Sequence, residues 1–136
     1  MQRFENFIDG RRVPSVSGKW LPSLDPYRNE TWCEIPDSTA EDVDAAVKAA
    51  RAAFLSPSWA GASATARGAM LRRLGDLITE NAQRLAEIEV RDNGKLLSEM
   101  LIQLRNLPQW YYYYGGLADK IEGSVLPIEK KDHFVY

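Results

Sequence analysis

Trp110-Tyr111-Tyr112-Tyr113-Tyr114-Gly115-Gly116-Leu117-Ala118-Asp119-Lys120 decides the fold, together with Asp92-Asn93-Gly94-Lys95 a little before it. The five consecutive aromatic residues occupy more than one helical turn and cannot share a face. Most of them therefore read as packing contacts to other parts of a larger protein. Gly115-Gly116 costs a helix about 1 kcal/mol per glycine relative to alanine. A helix tolerates such a pair where it packs closely against another backbone. Asn93-Gly94 reads as a helix stop, with Gly94 in the left-handed conformation. A helix is expected from near Ser98, and Pro108 disturbs it. Proline removes the bond to the Leu104 carbonyl and clashes with it, at about 3 kcal/mol or more. Either the helix kinks there, the preferred reading, or it starts near Leu107. Gly123 should end it, and Val125–Ile128 and His133–Tyr136 are strand-like.

Upstream, the pattern changes twice. Asn6 to Val13 carries Asp9-Gly10 between two short arms, a strong hairpin signal. Trp20–Leu24 is broken by Pro22, so it reads as an edge strand or irregular extended chain. Thr31-Trp32-Cys33-Glu34-Ile35 alternates as a strand, with Thr31, Cys33 and Ile35 on one face. From Asp37 the chain turns helical. Ser38 with Glu41 and Thr39 with Asp42 form two overlapping capping boxes. Val43, Ala46, Val47, Ala50 and Phe54 follow as one apolar stripe, ended by Ser56-Pro57-Ser58. A second helix runs from about Ser63 to Glu80, with Met70, Leu71, Leu74, Leu77 and Ile78 on its apolar side. Asn81 begins a third, carrying Leu85 and Ile88. There is no internal repeat and no low-complexity segment.

With 136 residues and 45% hydrophobic content, the chain suffices for one ordinary domain with a core. Its net charge of −2 offers no electrostatic case for nucleic acid or an anionic membrane. No apolar run approaches the roughly 20 residues of a membrane span, and the N-terminus lacks a signal-peptide core. These features favour a soluble cytoplasmic protein. One cysteine and one histidine supply neither a disulfide nor a zinc site by themselves. Cys33 reads as a small buried apolar residue, since a nucleophile needs a nearby base and His133 lies a hundred positions away. His133 itself reads as a surface or edge residue.

Six blocks in fixed order resemble the N-terminal quarter of the aldehyde dehydrogenase superfamily. They are Phe7-Ile8-Asp9-Gly10, Asp25-Pro26, Asp42-Val43-Asp44-Ala45-Ala46-Val47, Arg67 to Ile78, Asp92 to Lys95, and Tyr113 to Lys120. Each alone is weak; their order and spacing make the resemblance specific. It implies an α/β fold: the N-terminal part of the family's cofactor-binding domain. The expected parts are a small antiparallel β unit over 1–36, about four helices over 37–122, and the start of an oligomerisation-type strand over 123–136. All three would belong to one incomplete domain.

The resemblance also implies an NAD(P)+-dependent parent enzyme that oxidises an aldehyde to a carboxylic acid through a thiohemiacetal on cysteine. The family's nucleophilic cysteine, general-base glutamate and oxyanion-binding asparagine come later than Tyr136. No glycine-rich strand-turn-helix of the dinucleotide type is present either. The segment alone is therefore expected to hold no catalytic and no cofactor-binding residue, to bind neither NAD nor NADP, and to be inactive. Its expected partners are the remainder of the chain, further copies in a homo-oligomer, and the parent's small aldehyde substrate. Isolated, its uncovered apolar helix faces should self-associate.

Two groups of residues carry site expectations. Asp92-Asn93-Gly94-Lys95 reads first as a helix cap. In the family the matching aspartate also helps hold a structural monovalent cation, with backbone carbonyls that correspond here to Ser23 and Leu24. The family often has threonine and valine or isoleucine at those two positions, so this chain departs there in side chain. Asn106, Trp110 and Tyr113, at helical spacing, match the face that lines the family's aldehyde tunnel. A stand-alone helical protein-interaction module built on the same scaffold is the alternative from another class.

Overall fold

Short strands alternate with turns as far as Pro36, and helices take over from Ala40, in a computed structural model that describes residues 1–136. The strands are β1 (Gln2–Arg3), β2 (Asn6–Ile8), β3 (Arg11–Val13), β4 (Trp20–Asp25) and β5 (Glu30–Pro36). Asp9 and Gly10 take φ of 53° and 71°, as a two-residue primed turn requires. They join β2 and β3 into a separate two-stranded ladder. β4 pairs antiparallel with β5 and lies at the edge of a sheet ordered β1-β5-β4. The edge suits Pro22, which has no N–H to donate to a ladder. The ladder shifts register between Ser23 and Leu24. β1, which runs parallel to β5 and aligns Arg3 with Glu34, was not expected. Its two residues are too few for a pattern. Tertiary contacts hold it: Arg3 Nε lies 2.7 Å from Glu34 Oε2, and the Arg3 guanidinium sits 4.7 Å from the Trp20 ring centroid.

The helices are α1 (Ala40–Leu55), α2 (Pro57–Ala60), α3 (Ala64–Glu80), α4 (Ala82–Asn93), α5 (Leu97–Asn106) and α6 (Pro108–Leu117). α2 is a single turn that the sequence pattern did not separate from the loop. The fourth expected helix divides at Pro108. Leu107 keeps helical dihedrals of −52° and −40°, so α5 and α6 abut as two arms of an interrupted helix. Pro108 occupies the first turn of α6, where its missing N–H costs nothing. α6 ends at Leu117 rather than Gly123, and Lys120 closes its end by donating from Nζ to the Gly116 carbonyl at 2.8 Å. Beyond it, the two strand-like stretches of the tail meet in one antiparallel bridge, Leu126 with Val135.

Of the two possible capping boxes, that of Thr39 and Asp42 forms. The Thr39 N–H donates to Asp42 Oδ2 at 2.8 Å. Ser38 instead bonds the side chain of Asn6. Distant contacts decide the choice. Ser15 Oγ donates to Asp42 Oδ2 at 2.7 Å, and the Val16 N–H donates to Oδ1 at 3.0 Å. Led by the Thr39 backbone donor and the Ser15 hydroxyl, these bonds hold the Asp42 carboxyl at about 2 against the opposing effect of burial. A folded value below that of the unfolded chain means stability that is present above about pH 4 and lost as pH falls toward 2. The thermal midpoint should fall over this window, and Asp42→Asn should flatten that part of the profile. Equal slopes in both proteins would contradict the linkage.

α3 and α6 form the helical core. Gly68 and Gly115 face each other so closely that a Cβ on Gly115 would lie 2.8 Å from the Gly68 carbonyl oxygen. This is the close backbone approach expected of the Gly115-Gly116 pair, although only Gly115 takes part; space beside Gly116 is open. Cover elsewhere is thin. Only 11 of 136 residues are buried, and the accessible surface is 10714 Å². A compact monomer of 15.4 kDa would expose roughly 7,200 Å² by the usual scaling with mass. The excess is apolar as well as polar. On the α1 stripe, Val43, Val47 and Phe54 are 59%, 60% and 57% exposed.

Candidate functional site

Asp92 is placed by the way α4 stops. Gly94 takes φ of 73°, and its N–H bonds the Val90 carbonyl at 2.9 Å. The glycine is required twice over, because a Cβ would also lie 2.8 Å from Pro26 Cγ. This stop lays the last turn of α4 on β4. Ser23 Oγ then donates to Asp92 Oδ1 at 2.5 Å, and Trp32 Nε1 donates to the same oxygen at 3.3 Å. Asp92 and Ser23, 69 positions apart in sequence, are thus joined through the serine hydroxyl, a different contact from the backbone carbonyls that the resemblance implied. Leu24 follows on the far side of the register shift, with its side chain 50% exposed. Trp32 was missed. Its place in an alternating strand showed that it faces away from Cys33, not that its indole reaches α4.

Both bonds to Asp92 fall on Oδ1, which leaves Oδ2 for a further ligand. A register irregularity also takes backbone groups out of the ladder. A carboxylate oxygen is a hard donor of the kind that Ca²⁺ and Mg²⁺ sites also use. No three His, Cys, Asp or Glu side chains cluster in the chain.

Cys33 lies beside this group, fully inside the sheet at 1% exposure. Burial pushes its thiol up, the nearby Asp92 carboxylate adds to this, and the Ser23 hydroxyl partly offsets it. A thiol held protonated is a poor nucleophile. His133 is exposed and bonds only the Lys131 carbonyl.

The second group follows the outer side of the interrupted helix. Asn106 ends α5, Trp110 and Tyr113 lie in α6, and all three are exposed, Trp110 by 62% and Tyr113 by 60%. The inner side of α6 is fixed to α3. Arg72 Nη1 donates to the Gly115 carbonyl at 3.0 Å, and Tyr112 Oη donates to Asp76 Oδ1 at 3.0 Å. The tyrosine run therefore divides as helical geometry demands, with Tyr112 half-buried and Tyr113 and Tyr114 outward. Arg72 carried no sequence signal, since a charged residue on a long helix usually reads as a solvated face, and Asp76 stood only as part of the Arg67 to Ile78 block with no partner foreseen.

The profile of the aldehyde dehydrogenase family matches residues 13–136. The chain belongs to the aldehyde dehydrogenase family. It is 39% identical over 132 residues to (Z)-2-((N-methylformamido)methylene)-5-hydroxybutyrolactone dehydrogenase of Acinetobacter baylyi, covering 97% of this chain and 27% of that protein. It is 41% identical to human mitochondrial aldehyde dehydrogenase, covering 96% of this chain and 25% of the relative. Among solved structures, a mutant of aldehyde dehydrogenase from Bacillus cereus superposes with a TM-score of 0.90 at 35% identity, over 98% of this chain and 27% of that one. A betaine aldehyde dehydrogenase mutant of Staphylococcus aureus, in complex with NAD+, superposes with a TM-score of 0.85 at 33% identity, over 94% and 26%. This aldehyde dehydrogenase segment therefore spans about a quarter of the length of the relatives it matches. Its mixed α/β architecture is that of the family's N-terminal cofactor-binding region. No helix in it is long and apolar enough to cross a membrane.

Proposed function

We propose that this chain is the N-terminal scaffold of an NAD(P)+-dependent aldehyde dehydrogenase that oxidises an aldehyde to a carboxylic acid, and that the 136 residues alone turn over no substrate. The carrying observation is the match over 97% of this chain but only 27% of the Acinetobacter relative. The state of the only cysteine supports it: Cys33 is buried with its thiol pushed up, so it is unsuited to attack an aldehyde. On this reading the nucleophile and the residues that bind NAD or NADP belong to downstream sequence. The strand unit 1–36, the helical segment 37–122 and the tail 123–136 form one incomplete domain, and the tail begins an oligomerisation strand. The parent is a cytoplasmic homo-oligomer. Asp92, with the carbonyls of Ser23 and Leu24, helps hold a structural monovalent cation. Asn106, Trp110 and Tyr113 border the path by which the aldehyde enters.

A chimaera tests this. The chain is joined after Tyr136 to the downstream part of the Bacillus cereus relative, and NADH formation from acetaldehyde and NAD+ is followed at 340 nm. The chimaera should form NADH and the 136-residue chain should form none. Turnover by the short chain would refute the proposal. A stable, monomeric short chain beside an inactive chimaera would favour the interaction-module alternative.

A further inference from the structure

We infer that α3 sets the position of the α6 face that borders the aldehyde's path, with Gly75, Arg72, Asp76 and Tyr112 as positioning residues for aldehyde selection. This rests on the proposed role of Trp110 and Tyr113 above. Gly75 is buried, and a Cβ there would lie 2.6 Å from Tyr112 Cε1. The Tyr112 ring therefore fills the space of the side chain that Gly75 lacks, and its hydroxyl is tied to Asp76. Three residues along α6, the Gly115 carbonyl is held by Arg72 and lies against Gly68.

The two attachments are about one turn apart on α6. Their partners, residues 68, 72, 75 and 76, form one stripe on α3. A helix held at two successive turns can neither slide nor roll without breaking both. Side chains advance about 100° per residue, so Tyr113 and Trp110 are carried on other sides of the same rigid cylinder. A shift imposed at Tyr112 must reach them, although Gly75 lies on another helix. Displacements of about 1 Å around a reacting group can change rates about a hundredfold, so the coupling is large enough to select between aldehydes.

The test uses the active chimaera and the ratio of kcat/KM for benzaldehyde to that for acetaldehyde. Gly75→Ala places a methyl where the Tyr112 ring stands. It should change the ratio about tenfold, mainly through KM of the bulkier aldehyde. Adding Tyr112→Leu, which removes the obstructing ring but also the Asp76 bond, should bring the ratio back from the Gly75→Ala value to about threefold from the parent, the shift expected for loss of that bond alone. Tyr112→Phe keeps the ring and loses only the Asp76 bond. It should give a shift of about threefold, and it decides the matter alone if Gly75→Ala fails to fold. An unchanged ratio in the folded α3 and Tyr112 variants, with only a lowered thermal midpoint, would overturn the inference. Trp110→Ala separates the two claims. If it moves the ratio while the others do not, α6 borders the path but α3 does not set it. If it leaves the ratio unchanged, the reading of the α6 face fails and the inference fails with it.

Discussion

Gly68→Ala should destabilise the chain by about 3 kcal/mol, the upper range for forcing a methyl into a packed contact. Helix propensity alone gives the opposite sign, since alanine is favoured over glycine by about 1 kcal/mol. The contact outweighs it. A Cβ at Gly68 overlaps the backbone oxygen of Gly115, and a backbone atom of a helix cannot turn aside as a side-chain tip can. Relief requires α3 and α6 to separate, which also draws Arg72 from the Gly115 carbonyl and Tyr112 from Asp76. Gly116→Ala is the control. It lies in the same helix with nothing within 4 Å of its added Cβ, so propensity acts unopposed and should stabilise by about 0.5–1 kcal/mol. Urea midpoints followed by helical circular dichroism should move in opposite directions for the two variants. Movement in the same direction would mean that the glycine contact does not hold α3 to α6.

Met100→Ala should cost about 2–5 kcal/mol. Met100 is 2% exposed and is the largest fully buried side chain. α5 packs against α4, whose buried positions are only Ala82 and Ala86. Met100 is thus the one fully buried large side chain on these two helices, beside half-buried Leu85, Ile88, Leu101 and Leu104, and truncating it leaves a cavity. Folded domains commonly hold 5–15 kcal/mol in total, and a chain with so few buried residues has little to spare. Limited proteolysis should cut Met100→Ala in α4 or α5 under conditions that leave the parent chain intact. Met70→Ala, at a 51% exposed position, should cost less than about 1 kcal/mol.

Local chemistry was well written in the sequence. Asp9-Gly10, Ser63 before α3, Gly94 after α4 and Pro22 on an edge strand each follow from what one residue's backbone or side chain permits, and each stands where it was expected. Choices that depend on distant partners were not legible. The tie between Ser38 and Thr39 as cap was broken by Ser15 and Val16, more than twenty positions away. β1 exists because β5 offers it a neighbour. α6 stops before Gly123, with Lys120 folded back on the Gly116 carbonyl at its end. Family resemblance put Asp92 with the Ser23 and Leu24 carbonyls, but neither the Ser23 hydroxyl nor the Trp32 indole on Asp92 was foreseen, since no local pattern links side chains on different elements.

The apolar α1 face was legible as a stripe, but a stripe does not say what covers it. In the structure it stays open, and the total exposed surface is about half again what a compact chain of this mass shows. Nearly every functional expectation therefore depends on whether downstream sequence closes these surfaces. The fluorescence of an apolar-surface dye, read alongside size-exclusion elution, measures that closure for the 136-residue chain and for the chimaera. Strong dye binding and self-association of the short chain, both lost in the chimaera, are the expected result. A short chain that elutes as a sharp monomer and leaves the dye dark would contradict it.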